Sequence, residues 1–179
     1  VLVIVGDVKP QKVKQLAENY FGAIARSKNL PENPDLSLPP REKKITLLEK
    51  SSFDIPVTFM GYQIPPAKHD DIQALVVLNS ILSGGESSRL SQRLVRKDKI
   101  ALFSAGQPIT RQGPGLFFYF AVYFPHIKPA KIESTIIDEL EKIKKDGVTE
   151  QELTKAQKQL LSAKIFERYS ASSLANSLG

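Results

Sequence analysis

Apolar positions along this chain switch between two periods, and the switches mark the predicted elements. Val1 to Val5 is a continuous apolar run, the pattern of a strand buried on both faces. Gly6-Asp7 breaks it, and Pro10 suits the first turn of a helix. There Val13, Leu16, Ala17, Tyr20, Phe21 and Ile24 recur at spacings of three and four, an amphipathic stripe. Residues 26–41 are polar and carry Pro31, Pro34, Pro39 and Pro40, so they read as a linker and the main internal boundary.

Lys43 to Glu49 and Ile55 to Gln63 then read as strands, the second closed by Pro65-Pro66. Asp70 is the expected cap of a helix whose Ile72, Leu75, Val76, Asn79 and Leu82 share a face. Gly84-Gly85 turns into a shorter helix, from about Ser87 to Lys97, with Leu90 and Leu94 inward. Strands are predicted over Leu102–Pro108 and Leu116–Phe124, with Gly113-Pro-Gly115 as the turn between them. The second is apolar on both faces and should be central and covered. Pro129 opens a helix with Ile132, Ile136, Leu140 and Ile143 inward, and Asp146-Gly147 stops it. Thr149-Glu-Gln-Glu152 is a capping box that starts the last long helix. The order predicts an α+β fold, a mostly antiparallel sheet with helices packed on it.

Composition narrows the function classes. The 179 residues are 41% hydrophobic and 25% charged, enough to bury a core. A net charge of +6 would suit an acidic partner, but the lysines are dispersed and read as solvated helix faces, which ranks nucleic acid last. Cysteine is absent, so disulfides, thiolate ligands and a cysteine nucleophile are excluded. No apolar run is long enough to span a bilayer. The chain opens on Val1 inside a predicted strand and stops at Gly179 just after a helical pattern, so both ends read as cut.

Catalytic motifs are lacking. His69 and His126 are far apart in sequence, whereas a two-histidine zinc helix needs both imidazoles one turn apart with a Glu beside them. His69 reads as a solvated or capping residue at a helix start, and His126 as a loop residue. No G-x-S-x-G elbow occurs, and Gly84-Gly85 is too short to cradle a phosphate. Ser87 and Ser88 are explained by helix capping. Arg89, Arg93 and Arg96 stand at i, i+4 and i+7, on one face opposite Leu90 and Leu94. They are either screened surface charges or include a guanidinium that binds a carbonyl or carboxylate.

Three segments taken together are more specific: Val1-Leu-Val-Ile-Val-Gly-Asp7, the stretch Ser83 to Ser104, and Gly147-Val-Thr-Glu-Gln-Glu-Leu153. In that order they resemble the pitrilysin/insulinase-type zinc metallopeptidases, which include the mitochondrial processing peptidases. Gly61-Tyr-Gln-Ile-Pro-Pro66 adds to the resemblance, which covers nearly the whole chain. It implies a metallohydrolase-like fold of the processing-peptidase type. Residues 1–25 would be the closing strand and helix of a truncated preceding domain, 26–41 a linker, and 42–179 an inactive-type peptidase domain truncated at its C-terminus.

In that family, the domain facing the zinc carries Gly-Gly and Ser-Arg-Leu, then an arginine and a tyrosine seven positions apart that reach toward substrate. Ser88-Arg89-Leu90 and Arg96 match, Ile100-Ala101-Leu102 departs slightly, and Phe103 stands where tyrosine is expected. Loss of that hydroxyl removes an oxyanion donor worth roughly 3 kcal/mol, so Phe103 is expected in the core and not in catalysis. The resemblance thus implies substrate binding by Arg96, Arg89, Gly84 and Gly85, with no catalytic or metal-ligating residue and no cofactor in this chain. Zinc and the catalytic base would sit in the parent protein or a partner subunit of the same family. The substrate would be a peptide or unfolded protein, bound partly by strand addition. Family habit suggests a bacterial periplasmic or organellar setting. The alternative is a non-catalytic binding or scaffold subunit of the same fold; a basic nucleic-acid-binding domain is the remote one.

Overall fold

The computed structural model describes residues 2–29, 36–39, 43–49 and 54–178. They fall into two compact units, Val1–Asp35 with Leu161–Gly179, and Leu36–Leu160.

The larger unit is an antiparallel sheet backed by helices, the α+β class that the sequence predicts. Its strands are β1 (Val57–Ile64), β2 (Ala101–Ile109) and β3 (Gly115–Tyr123), in the order β1-β3-β2. β3 is central, as its apolar sequence requires. The register sets Phe59 opposite Phe120 and Met60 opposite Tyr119 on one side, and Ala105 opposite Phe120 and Gly106 opposite Tyr119 on the other. Alternation then sorts β3 into two faces. Phe117, Tyr119, Ala121 and Tyr123 are buried in the core with Ile64, Ile72, Leu82, Leu90, Leu94, Ile132 and Ile136. Leu116, Phe118, Phe120 and Val122 stay partly open on the opposite face. The expectation that β3 is covered on both faces therefore holds for only one.

The helices of this unit begin and end where local chemistry directs. α2 (Asp71–Ser83) starts at Asp70, whose side chain makes no capping bond. The His69 Nδ1 accepts from the Asp71 N–H instead, at 3.2 Å. A π-helix follows at Ser91–Lys97 in place of the expected α-helix, closed by an Asp98 N–H to Arg93 carbonyl bond of 2.9 Å. α3 (Pro129–Asp146) has proline in its first turn and stops at Gly147. α4 (Glu150–Glu167) opens with the predicted box. The Thr149 hydroxyl accepts from the Glu152 N–H at 3.2 Å, while Glu152 accepts from the Thr149 N–H at 2.9 Å.

Two predicted strands are absent. Residues 2–5 and 44–49 adopt no strand, because neither finds a ladder partner among the described residues. Leu47 and Leu48 are exposed, and Lys44 instead pairs with Glu133 of α3. Pro31, Pro34 and Pro40 of the predicted linker lie outside the described residues.

The smaller unit holds α1 (Pro10–Phe21), the end of α4, and α5 (Ala171–Leu178). None of its described residues is buried, and Leu16, Tyr20, Phe21, Phe166 and Tyr169 are all exposed.

Candidate functional site

The candidate site begins where α2 ends. Gly84 returns its N–H to the Ser80 carbonyl at 3.1 Å, and a Cβ there would lie 2.4 Å from that oxygen. Gly85 has φ +91°, a conformation other residues adopt at a cost of about 1–2 kcal/mol. Both glycines are thus demanded by the turn itself. Ser88 is buried, and its hydroxyl donates to the Gly85 carbonyl at 2.7 Å, while Ser87 accepts from the Lys155 ammonium. Their side chains tighten and tether the turn, and the Ser88 carbonyl accepts the first helical bond, from the Gln92 N–H at 2.9 Å.

The three arginines diverge to different carboxylates. Arg89 makes a two-pronged pair with Glu152, Nε to Oε1 at 2.6 Å and Nη2 to Oε2 at 2.7 Å, and reaches the Gly147 carbonyl at 3.3 Å. That fork, aided by donors from Thr149, holds the Glu152 carboxyl down at about 2. Arg93 bonds Asp98 at 2.6 Å and approaches the buried Glu139 at 3.5 Å, which Lys142 also contacts at 2.7 Å. Arg96 pairs with Glu86, and both side chains are largely exposed. Arg89 and Arg93 both lie in the field of Glu139, while Arg96 turns to Glu86 instead.

Of the predicted substrate-binding residues, Gly84 and Gly85 form the turn, Arg89 is committed to a partly buried pair, and Arg96 is the one with an open guanidinium. Glu86, directly after the glycines, is its tether. The partners Glu139 and Glu152 were missed as such in the sequence. Glu152 stands 63 positions from Arg89, and no local pattern links them.

Phe103 is not in the core but 53% exposed. A register irregularity between Ala101 and Phe103 is the cause. Ala101 faces inward opposite Tyr123, and regular alternation would put Phe103 inward opposite Ala121. The extra residue, Leu102, sends Phe103 outward beside Phe120 at 5.7 Å, and Ser104 takes the inward place.

Among the described residues no group of three His, Cys, Asp or Glu could hold a metal ion. His69 serves the start of α2, and His126 stacks on Phe124 at 5.7 Å. No described helix is long and apolar enough to cross a membrane.

Fold and site together define a helix-backed antiparallel domain with a glycine turn and an exposed arginine beside it. Residues 1–160 match the Peptidase M16 inactive domain, and the chain belongs to that family. It is 31% identical over 160 residues to the zinc protease PqqE of Helicobacter pylori, covering 87% of this chain and 35% of that protein. A solved protease structure from Helicobacter pylori superposes with a TM-score of 0.86 at 28% identity, over 96% of this chain and 42% of the other. A peptidase M16 inactive domain from Pseudomonas fluorescens shares the fold, with a TM-score of 0.62 at 19% identity over 69% of this chain and 29% of the other. The chain thus spans about a third of the curated relative's length.

Proposed function

We infer that this chain is the non-zinc part of a zinc peptidase and helps to enclose and bind a peptide substrate. Zinc, its ligands and the catalytic base belong to another part of the parent or to a partner subunit. The observation that carries this reading is Arg96, whose open guanidinium sits beside the Gly84–Gly85 turn and is tethered, among the described residues, by exposed Glu86. A guanidinium so placed can exchange Glu86 for a substrate carbonyl or carboxylate at little cost. Arg89, already filled by Glu152, braces the turn.

The test uses the intact parent with a quenched fluorescent peptide. Arg96→Ala is expected to lower kcat/KM about tenfold to a hundredfold, the worth of a hydrogen bond to a charged group, with an unchanged melting temperature. Unchanged kcat/KM refutes the reading.

One observation favours a second reading, a binding or scaffold subunit of the same fold. Phe103 offers no hydroxyl at the position where the family resemblance calls for tyrosine. Under that reading Phe103→Tyr leaves the parent without peptidase activity, as before.

A further inference from the structure

Glu86 joins a loose side chain to a fixed backbone. Arg89 and Arg93 hold their carboxylates in partly buried pairs, whereas the Arg96 and Glu86 side chains are 57% and 83% exposed. An ion pair so open to water adds little to folding. The backbone under it is nevertheless pinned on both sides. Ahead of Glu86, the Gly85 carbonyl accepts from the Ser88 hydroxyl at 2.7 Å and from the Ser88 N–H at 3.1 Å. The Glu86 carbonyl itself accepts from the Gln92 side chain at 2.8 Å, and Lys155 holds the next residue, Ser87. Arg96 gives Nη2 to Glu86, and its remaining N–H groups meet no acceptor among the described residues. The carboxylate therefore stays at the arginine whether the pair is closed or open, and donors are left over for a ligand.

We propose that Glu86 is a specificity-determining residue, which makes the Arg96 subsite take a neutral carbonyl of the peptide and reject a carboxylate. The proposal rests on the reading that Arg96 binds peptide. A neutral carbonyl accepts from the open N–H groups while Glu86 keeps its place, and no charge is left unpaired. A ligand carboxylate must lie against Glu86 or displace it, and a displaced Glu86 remains nearby because its backbone is pinned. Both arrangements bring two like charges together, which costs about fivefold in affinity for exposed groups roughly 4 Å apart in water. Lys97 and Lys99, exposed just beyond Arg96, attract acidic peptides in general, and Glu86 offsets that attraction at the arginine itself.

The probes are two fluorescein-labelled peptides that carry Gln or Glu at the same positions. Their Kd values for the intact parent are read by anisotropy with a chelator present, so that binding is measured without turnover. Glu86→Gln is expected to lower the ratio of the Glu-peptide Kd to the Gln-peptide Kd about fivefold. Glu86→Asp keeps the charge and is expected to keep most of the ratio. Glu167→Gln makes the same change in net charge at the end of α4 and is expected to leave the ratio unchanged. These side chains are exposed, and a thermal melt checks that each variant is folded. A ratio unmoved by Glu86→Gln overturns the proposal. That includes equal gains for both peptides, since Glu86 would then merely compete for the arginine. An equal shift from Glu167→Gln overturns it too, because net charge alone would explain the preference. If Arg96→Ala weakens both peptides while Glu86→Gln leaves the ratio unmoved, only this proposal fails. If Arg96→Ala weakens neither, the functional reading fails and this proposal with it.

Discussion

Two side chains show how differently the interior and its margin treat a polar group. Tyr119 is buried in the core with its hydroxyl free of any hydrogen-bond partner among the described residues, and burial pushes that phenol above its usual range. An unpartnered buried hydroxyl is a net cost, so Tyr119→Phe is expected to raise stability by about 1 kcal/mol in urea denaturation. Glu152 is the reverse case. Its carboxyl lies at about 2, held there first by Arg89, against an unfolded value of about 4.3. A depressed folded value stabilises above the unfolded one, and the benefit is lost as pH falls through the folded one. The chain should therefore lose about 2 kcal/mol between roughly pH 4.5 and pH 2, allowing for partial solvent screening. Arg89→Met is expected to flatten that limb of the pH–stability curve.

Elements formed where a local signal and a tertiary partner agreed. The capping box at Thr149 and the proline at the start of α3 were legible because each carries its own hydrogen-bonding logic. Residues 2–5 and 44–49 have strand composition but no strand, because half a ladder is all that a sequence run can specify. The π-helix was read as α because its wider bonding leaves no mark in the apolar spacing of Leu90 and Leu94. Its exit is Lys99, at φ +53°, a left-handed position where glycine is the usual occupant. Lys99→Gly is expected to leave the fold intact and to raise stability slightly, by about 0.5–1 kcal/mol in urea denaturation.

At the scale of the whole molecule, the class was legible and much of the site was not. The sequence of β3 required a central strand, and its register then set which rings line the open face. The site depended on contacts between distant segments, such as Arg89 with Glu152 and Arg93 with Glu139. These pairs leave each arginine near the turn matched to a carboxylate, so the positive charge of the chain gathers no bare stripe there. Phe103 shows the limit most plainly. Its exposure follows from one irregular residue in β2, a displacement invisible to any count of apolar positions.

The π-helix also gives this segment a residue to spare. Each of its turns encloses one more residue than an α-turn, so deleting a single residue between Ser91 and Lys97 would let the segment close as an ordinary helix. The residues that follow would keep their phase, because the residue removed is the one that the wider turn accommodates, and Leu90, ahead of the deletion, would stay in the core. Removal of one residue between Ser91 and Lys97 is therefore expected to leave the fold intact, and a thermal melt of the shortened chain checks it.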